Sequence, residues 1–216
     1  MSVPGIFDTL IKKHNIDGIN EWIWPIADSG LWTGPCAEWP AIKEVFLANC
    51  KSKNTVVQAG GACGMYPKLL SLYFEHVYTF EPDAYNFYCL TQNCYEEKIH
   101  KFNCALGNMH TPVTFALPSN GNRGTGTIQI ENTGKTPMLM IDDFEFDKLD
   151  YIQLDVEGAE KFVIFGAEKS IKKHNPLISM ETVHQETLSF LEDLGYIKIK
   201  DVQNDHFYMH KSQIEG

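Results

Sequence analysis

The sequence predicts a Rossmann-like α/β protein, in which helices cover both faces of a mostly parallel sheet. Three observations support this prediction. Short apolar runs alternate with helical patterns from about residue 55 onward, as parallel sheets require. Glycines follow the first of these runs directly, and acidic residues follow later ones, where such sheets bind ligands. The chain has 216 residues, which is enough to bury the core of one such domain.

The alternation is regular over residues 55–106. Strands are predicted at residues 55–59, 77–80 and 100–106. Between the first two, apolar residues recur at helical spacing from Tyr66 to Phe74. Asp83 is the predicted N-cap of a second helix, which turns Leu90 and Cys94 inward.

The pattern changes over residues 107–141. Segments of β structure are predicted at residues 112–117, 127–131 and 137–141. The first two flank residues 119–126, a loop rich in glycine and asparagine. Two interpretations of this loop remain open: a long surface connection within a hairpin, or a mobile flap over a pocket.

Alternation resumes in the C-terminal part of the chain. Strands are predicted at residues 151–154 and 177–180, separated by a helix over residues 159–173 that Gly166 kinks. A helix over residues 185–194 carries leucines on one face and ends at Gly195. Two short segments, residues 197–200 and 206–210, predict a closing hairpin.

The first 54 residues lack this alternation. They predict an N-terminal helical extension rich in aromatic residues, ahead of a main domain at residues 55–216. Three of the four tryptophans fall in residues 21–32, and Trp39 begins a helical run that includes Val45 and Phe46. This extension either packs on the edge of the sheet or supplies an aromatic wall to a substrate site.

Charge and composition exclude several classes of protein. Lysine and arginine total 18 against 28 acidic residues, a net charge of −10, and Arg123 is the only arginine, so nucleic acid is not an expected partner. No apolar run approaches the roughly 18 residues of a membrane span. The first 13 residues do not resemble a secretory signal, so a cytoplasmic protein is predicted. Six cysteines without a C-x-x-C pair predict reduced, mostly buried thiols.

Two motifs predict a nucleoside cofactor. The first strand runs into closely spaced glycines and then a helix, so backbone N–H groups can approach a ligand. An acidic residue ends the second strand, 21 residues after the first glycine (81 − 60), where a carboxylate accepts hydrogen bonds from both hydroxyls of a ribose. The candidate cofactor residues in these motifs are Gln58, Gly60, Gly61, Gly64, Glu81 and Pro82.

A third motif places three carboxylates directly after the strand at residues 151–154. Such groups repel one another unless they are solvated or share a cation or a proton. Asp155 and Glu157 are the predicted functional residues, because the end of a central strand faces the ligand crevice. Glu160 is expected in the first turn of the next helix. No clear third ligand accompanies Asp155 and Glu157 in the sequence, so no metal site is predicted.

Together, these motifs resemble the FkbM-type family of S-adenosylmethionine-dependent methyltransferases. The resemblance rests on V-V-Q-A-G-G-A-C-G at residues 56–64, T-F-E-P-D at 79–83, N-C-A-L-G at 103–107, M-I-D-D-F at 140–144 and the long string at 149–167. It implies the class I methyltransferase fold, a mostly parallel seven-stranded sheet with one antiparallel strand near the C-terminus. It also implies S-adenosylmethionine as cofactor and a small molecule or glycan as methyl acceptor.

The resemblance also implies roles for individual residues. Gly60 and Gly64 would lie at the methionine end of the cofactor, and Glu81 at its ribose. The implied adenine neighbours are Asn103, Ala105 and Leu106. Asp155 would lie beside the sulfonium and the acceptor. The candidate catalytic bases are Asp155, Glu157, Glu181 and His184, and the sequence does not choose among them.

Two positions depart from the family pattern. Gln58 stands where the family usually has Asp, and Ala62 where it usually has Asn. Gln58 lacks the charge that would pair with the cofactor's ammonium group. The predicted reaction is O-methylation of a sugar, a glycan or a small hydroxylated metabolite, because aromatic residues stack on the C–H faces of sugars. The alternative is a degenerate, non-catalytic binding module, while the absence of G-x-G-x-x-G argues against a nicotinamide oxidoreductase.

Overall fold

The computed structural model describes residues 9–25, 33–131 and 133–214. Within these ranges the strands are β1 (Thr9–Ile16), β2 (Ile19–Pro25), β3 (Thr55–Ala59), β4 (His76–Phe80), β5 (Ile99–Phe102), β6 (Ala105–Leu106), β7 (Val113–Ala116), β8 (Thr127–Ile130), β9 (Met138–Leu139), β10 (Tyr151–Leu154), β11 (Leu177–Met180), β12 (Tyr196–Val202) and β13 (Asp205–His210). The α-helices are α1 (Thr33–Asn49), α2 (Met65–Leu70), α3 (Ala84–Asn93), α4 (Glu160–Phe165), α5 (Glu168–His174) and α6 (Gln185–Asp193).

Seven strands form the central sheet, in the order β12-β13-β11-β10-β3-β4-β5. Strands β3, β4, β5, β10 and β11 are parallel, while β13 is antiparallel to both of its neighbours. The predicted α/β class and the single antiparallel strand are therefore confirmed. The chain leaves β3 toward β4 on one side and returns to β10 on the other, so the strand order reverses beside β3. Open α/β sheets bind their ligands at the carboxyl edge of such a point.

Strand β10 shows why the sheet is buried on both faces. Tyr151 points to the core that α1 and α2 cover, where it stacks on Phe74. Ile152 points to the opposite core beneath α4 and α5, because successive side chains alternate across a strand. Residues 39–46 of α1 pack in the first of these cores, so α1 covers the sheet as the helical run through Trp39 predicts.

The extension is not helical throughout. Strands β1 and β2 form an antiparallel hairpin, which corrects the prediction of a helical segment for residues 9–25. The turn is Asp17-Gly18, with φ of +48° and +85°. A two-residue turn with both φ angles positive matches the right-handed twist of paired strands, and Asp-Gly is a preferred sequence for it. Trp32 lies outside the described residues.

Two predicted elements are broken in the structure. The strand predicted at residues 100–106 ends at Phe102, and Ala105 and Leu106 form a separate strand that pairs with β9. The helix predicted at residues 159–173 divides into α4 and α5 at Gly166. A Cβ atom on Gly166 would lie 1.8 Å from the carbonyl oxygen of Gly107, so the division allows the helix to contact that loop.

Two further expectations concern the whole chain. Among the described residues, no helix combines the length and the apolar character that crossing a membrane demands. The five cysteines whose side chains are described are all buried, as predicted. The Cys36 side chain lies outside the described part of the chain.

Candidate functional site

A cavity of about 260 Å³ lies at the carboxyl ends of β3, β4, β10 and β11. Its walls also include parts of β2, α1 and the connection between β7 and β8. The predicted site residues that line it are Gly60, Glu81, Pro82, Ala105, Leu106, Asp155, Glu157 and Glu181. The predicted site residues that do not line it are Gln58, Gly61, Gly64, Asn103 and His184. The three sequence motifs therefore meet at one cavity.

Gly60 holds two strand ends close together. Its φ is +83°, and a Cβ atom there would lie 1.8 Å from the carbonyl oxygen of Asp155. The Gly60 N–H donates to the carbonyl of Phe80, at 3.0 Å, and the Asp155 N–H donates to that of Ala59, at 3.1 Å. A residue with a side chain at position 60 would separate the strands that carry Glu81 and Asp155.

The Gln58 side chain braces this turn and does not face the cavity. Its Nε2 donates to the carbonyl of Gly60 at 2.9 Å, and its Oε1 accepts from the Thr79 hydroxyl at 2.6 Å. The side chain is completely buried. The contact predicted between Gln58 and the amino acid end of the cofactor stays a prediction, and in this structure the side chain instead bonds within the turn. An amide satisfies both the carbonyl and the hydroxyl, because it offers a donor and an acceptor.

The other two glycines of the turn serve packing. A Cβ atom on Gly61 would lie 2.6 Å from Leu90 Cδ1, and one on Gly64 would lie 2.7 Å from the sulfur of Cys94. Gly64 also has a φ of +93° at the N-cap of α2. These glycines allow α3 to pack against the turn, which corrects their assignment to the cavity wall.

Glu81 presents a buried carboxylate to the cavity. Its side chain is held by the backbone N–H groups of Ala62 and Asp83, each 2.7 Å from a different carboxylate oxygen. Burial raises the pKa of Glu81 to about 8, although these two N–H groups favour the charged form. Each oxygen keeps a second lone pair, so the group can accept from a vicinal diol.

Apolar residues line the cavity next to Glu81. Ala105 and Leu106 lie on one wall, with Phe115 and Ile128 contributed by β7 and β8. Asn103 lies behind this wall and outside the cavity, where its Nδ2 donates to the backbone carbonyl of Glu81 at 2.8 Å. Asn103 thus holds the backbone of Glu81 and does not line the cavity, and its predicted contact with adenine stays a prediction.

Three carboxylates meet on the opposite side of the cavity. Oxygens of Asp155, Glu157 and Glu181 all lie within 4.8 Å of one another, and we call these residues the acidic triad. Burial raises the pKa of Asp155 well above its usual value, and the charges of Glu181 and other acids add to this effect. Burial and Glu181 also raise the pKa of Glu157. His184, by contrast, is exposed at the N-cap of α6 and outside the cavity.

A sequence comparison identifies the family. The profile of the methyltransferase FkbM domain matches residues 69–198, which is more than half of the chain. The chain belongs to the FkbM methyltransferase family. S-adenosylmethionine is the methyl donor that this family uses, and the predicted family is confirmed.

The chain is similar to several solved structures at low sequence identity. M. jannaschii TYW2, solved in complex with S-adenosylmethionine, is 16% identical, with a TM-score of 0.52 over 96% of this chain and 89% of that one. The methyltransferase FkbM from Methylobacillus flagellatus KT is 20% identical, with a TM-score of 0.48 over 74% of this chain. The alignment spans only 44% of that methyltransferase. An rRNA methylase from Streptococcus thermophilus is 10% identical, with a TM-score of 0.45 over 77% of this chain and 91% of that one. No curated protein matches.

The cavity of this chain also contains acidic residues that the sequence did not predict. Asp205 lines the cavity from the turn between β12 and β13. Met180 pairs with His206, which brings Asp205 beside the end of β11. Because β13 is antiparallel to β11, its first residue lies at the carboxyl edge of the sheet. The antiparallel direction of this strand was the signal from which Asp205 could have been predicted at the cavity. Glu38 of α1 lines the same wall and accepts from the Tyr66 hydroxyl at 3.2 Å.

The loop at residues 119–126 lies against the cavity. Residues 122–126 contribute to the wall. Nη1 of Arg123 donates to both carboxylate oxygens of Asp83, at 2.8 Å each, and the guanidinium lies 4.3 Å over the ring centre of Tyr85. The arginine and aspartate side chains are 15% and 7% exposed, so water screens this ion pair little. The pair links the loop to the N-terminus of α3.

The hairpin formed by β1 and β2 also reaches the cavity. Trp24 of β2 lines it and is buried together with Trp22. Asn93 of α3 fixes this strand, because its Oδ1 accepts from the N–H of Ile23 at 2.7 Å and its Nδ2 donates to the carbonyl of Ile23 at 2.9 Å. The same Nδ2 donates to the carbonyl of Cys63 at 2.6 Å. The hairpin is thereby joined to the glycine turn.

Proposed function

We propose that this chain transfers a methyl group from S-adenosylmethionine to a hydroxyl of a sugar, a glycan or a small hydroxylated metabolite. One observation carries the proposal: the turn at Gly60, the carboxylate of Glu81 and the acidic end of β10 line a single cavity. We further propose that residues 55–216 form the methyltransferase domain and that residues 1–54 are an extension bordering the acceptor.

The chemistry of the cavity suits the proposed cofactor. Glu81 supplies the buried acceptor that a ribose diol requires. Ala105 and Leu106 supply an apolar surface for an aromatic base. Asp155 offers negative charge at the far end, toward a sulfonium or an ammonium group. When bound, the cofactor supplies an electrophilic methyl group.

The residues opposite Glu81 would handle the acceptor. Methyl transfer forms a C–O bond while the C–S bond breaks, the electron pair stays on sulfur, and the hydroxyl proton leaves to a base. The acidic triad supplies the candidate bases, because its carboxylates line the cavity and burial raises the pKa of Asp155 and Glu157. Trp24 and Tyr66 offer aromatic faces to the C–H surface of a sugar. A polyanion such as RNA would meet repulsion from the acids of this cavity.

Calorimetry with S-adenosylmethionine and S-adenosylhomocysteine tests the cofactor. We expect Glu81→Gln to weaken both affinities by at least about tenfold, since hydrogen bonds to a charged acceptor contribute about 1.5–3 kcal/mol each. The matched control is Glu75→Gln, an exposed acid six positions earlier (81 − 75) that bonds to Asn54, and it should change neither affinity. Equal affinities in Glu81→Gln and the unaltered chain would remove the ribose assignment.

The acceptor is tested with labelled S-adenosylmethionine. Sugars and hydroxylated metabolites are screened for label, and mass spectrometry locates the added methyl group. Label on oxygen supports the proposal, whereas label only on nitrogen or carbon contradicts O-methylation. In either case Asp155→Asn should lower turnover more than cofactor affinity.

A second candidate function is a non-catalytic binding module. The orientation of Gln58 favours it, because this position gives the cofactor's ammonium group neither a charge nor a hydrogen bond. The calorimetry above distinguishes the two candidates, since binding of neither compound would favour the module.

A further inference from the structure

The acidic triad has the dimensions of an ion site. Its carboxylate oxygens lie within 4.8 Å of one another, one from each of Asp155, Glu157 and Glu181. A hard divalent cation binds oxygens at about 2.0–2.6 Å, so two oxygens on one ion are at most about 4–5 Å apart. The three oxygens can therefore surround one ion with little movement. The triad forms because β10 and β11 are adjacent and parallel, which places the residues after both strands at one edge.

The acidity of the cavity favours a cation in addition to the cofactor. Within the described part of the chain, its wall contains six acidic residues: Glu38, Glu81, the triad and Asp205. Arg123 is the only lysine or arginine among these wall residues, and it is bonded to Asp83. S-adenosylmethionine carries one net positive charge, so the remaining carboxylates either stay protonated or are balanced by a further cation. Like charges at these distances oppose one another's ionisation.

Asp205 gives an independent indication of a missing ligand. It lines the same cavity and is only 8% exposed. No hydrogen bond to its carboxylate comes from any residue that the structure describes, although buried polar groups normally have a partner. A positively charged ligand bound between Asp205 and the triad would satisfy both.

We propose that the acidic triad binds one divalent cation of the Mg²⁺ class, with the Asp205 carboxylate beside it. An all-oxygen set favours a hard cation over zinc or copper. Three protein oxygens leave coordination positions open, and Mg²⁺ characteristically keeps several non-protein ligands. The sequence predicted no metal because Glu181, the third ligand, is 24 residues beyond Glu157 (181 − 157).

The role of the ion rests on the proposed function. With the ion bound, the triad carboxylates would act as its ligands instead of as the base, and an acceptor hydroxyl held by the ion would lose its proton to solvent more readily, as bound water does. Its oxygen then forms the C–O bond as the C–S bond breaks, with the electron pair left on sulfur. The ion would also orient the acceptor toward the methyl group.

Titration with Mn²⁺, followed by electron paramagnetic resonance, tests the site in the full chain. We expect one Mn²⁺ per chain, displaced by Mg²⁺. Glu157→Gln and Glu181→Gln should each weaken Mn²⁺ binding by at least about tenfold, since each removes one charged ligand. Glu168→Gln is the matched control, because this exposed acid on α5 pairs with Lys172 away from the cavity. Circular dichroism checks that each variant is folded.

The same samples separate the ion from the proposed function. Glu81→Gln should keep Mn²⁺ and lose affinity for S-adenosylhomocysteine, while Glu157→Gln should do the reverse. S-adenosylhomocysteine binding with no stoichiometric Mn²⁺ at millimolar concentration overturns the ion site and leaves the proposed function standing. Mn²⁺ binding without S-adenosylhomocysteine binding supports the ion site and contradicts the proposed cofactor. Equal loss of Mn²⁺ in Glu157→Gln and Glu168→Gln would also overturn the site.

Discussion

Replacement of Gly60 by alanine tests whether close contact between two strand ends supports the cavity. The new Cβ atom would lie 1.8 Å from the Asp155 carbonyl oxygen, so β3 and β10 would have to separate. Overpacking of this kind costs about 1–3 kcal/mol. The positive φ of +83° costs an alanine about 1–2 kcal/mol more. We therefore expect Gly60→Ala to lower the free energy of unfolding by about 2–5 kcal/mol.

Gly158→Ala is the matched control for this prediction. Gly158 has a φ of +94°, but nothing lies within 4 Å of the position of its Cβ atom. Gly158→Ala should lower the free energy of unfolding only by the cost of the positive φ, about 1–2 kcal/mol. The effect of alanine on the unfolded chain is the same in both variants. Urea denaturation followed by circular dichroism measures both free energies. Equal losses in the two variants would refute the steric argument, because the contact with Asp155 is the difference between them.

Three further predictions concern the cavity. The affinity for 5′-methylthioadenosine, which has a ribose but no amino acid group, should rise as pH increases toward 8 and level off above it. The reason is that Glu81, whose pKa is about 8, must lose its proton before it can accept hydrogen bonds from both ribose hydroxyls. Glu81→Gln should therefore make the affinity measured by calorimetry independent of pH. An affinity that does not change with pH in the unaltered chain would contradict the prediction. Arg123→Ala should raise hydrogen-exchange rates at residues 119–126, because the loop loses its ion pair with Asp83. Unchanged rates would show that this ion pair does not hold the loop in place. His184→Ala should leave methyl-transfer turnover unchanged, whereas loss of a general base costs about 100-fold or more, and a fall of that size would restore His184 as the base.

Local sequence patterns predict the strands of the sheet and the positions of two residues at the cavity. Residues 55–59, 151–154 and 177–180 are strands with the predicted bounds, because buried parallel strands are short apolar runs with clear ends. Gly60 and Glu81 follow such strands directly, so the topology of the sheet fixes their position at the cavity. Once a strand has been predicted, the position at the cavity of the residue that follows it can be predicted as well.

Side-chain direction and distant contacts are less predictable. Gln58 lies in a strand next to the site, but its orientation depends on the hydroxyl of Thr79, which belongs to another strand. Asp205 reaches the cavity only because β13 is antiparallel. The hairpin at residues 9–25 had a local signal, Asp17-Gly18, which the dense aromatic pattern obscured. The positions of Gln58 and Asp205 thus depend on pairing between strands that are not joined by a short turn.

The position of Trp24 has a consequence for diversification within the family. The FkbM domain match begins at residue 69, whereas Trp24 belongs to a hairpin at residues 9–25 that precedes it. Asn93 attaches that hairpin through backbone groups of Ile23, and such an attachment does not depend on which side chains the hairpin carries. The side chains of the hairpin can therefore change, and with them one wall of the cavity, while the attachment to α3 stays the same.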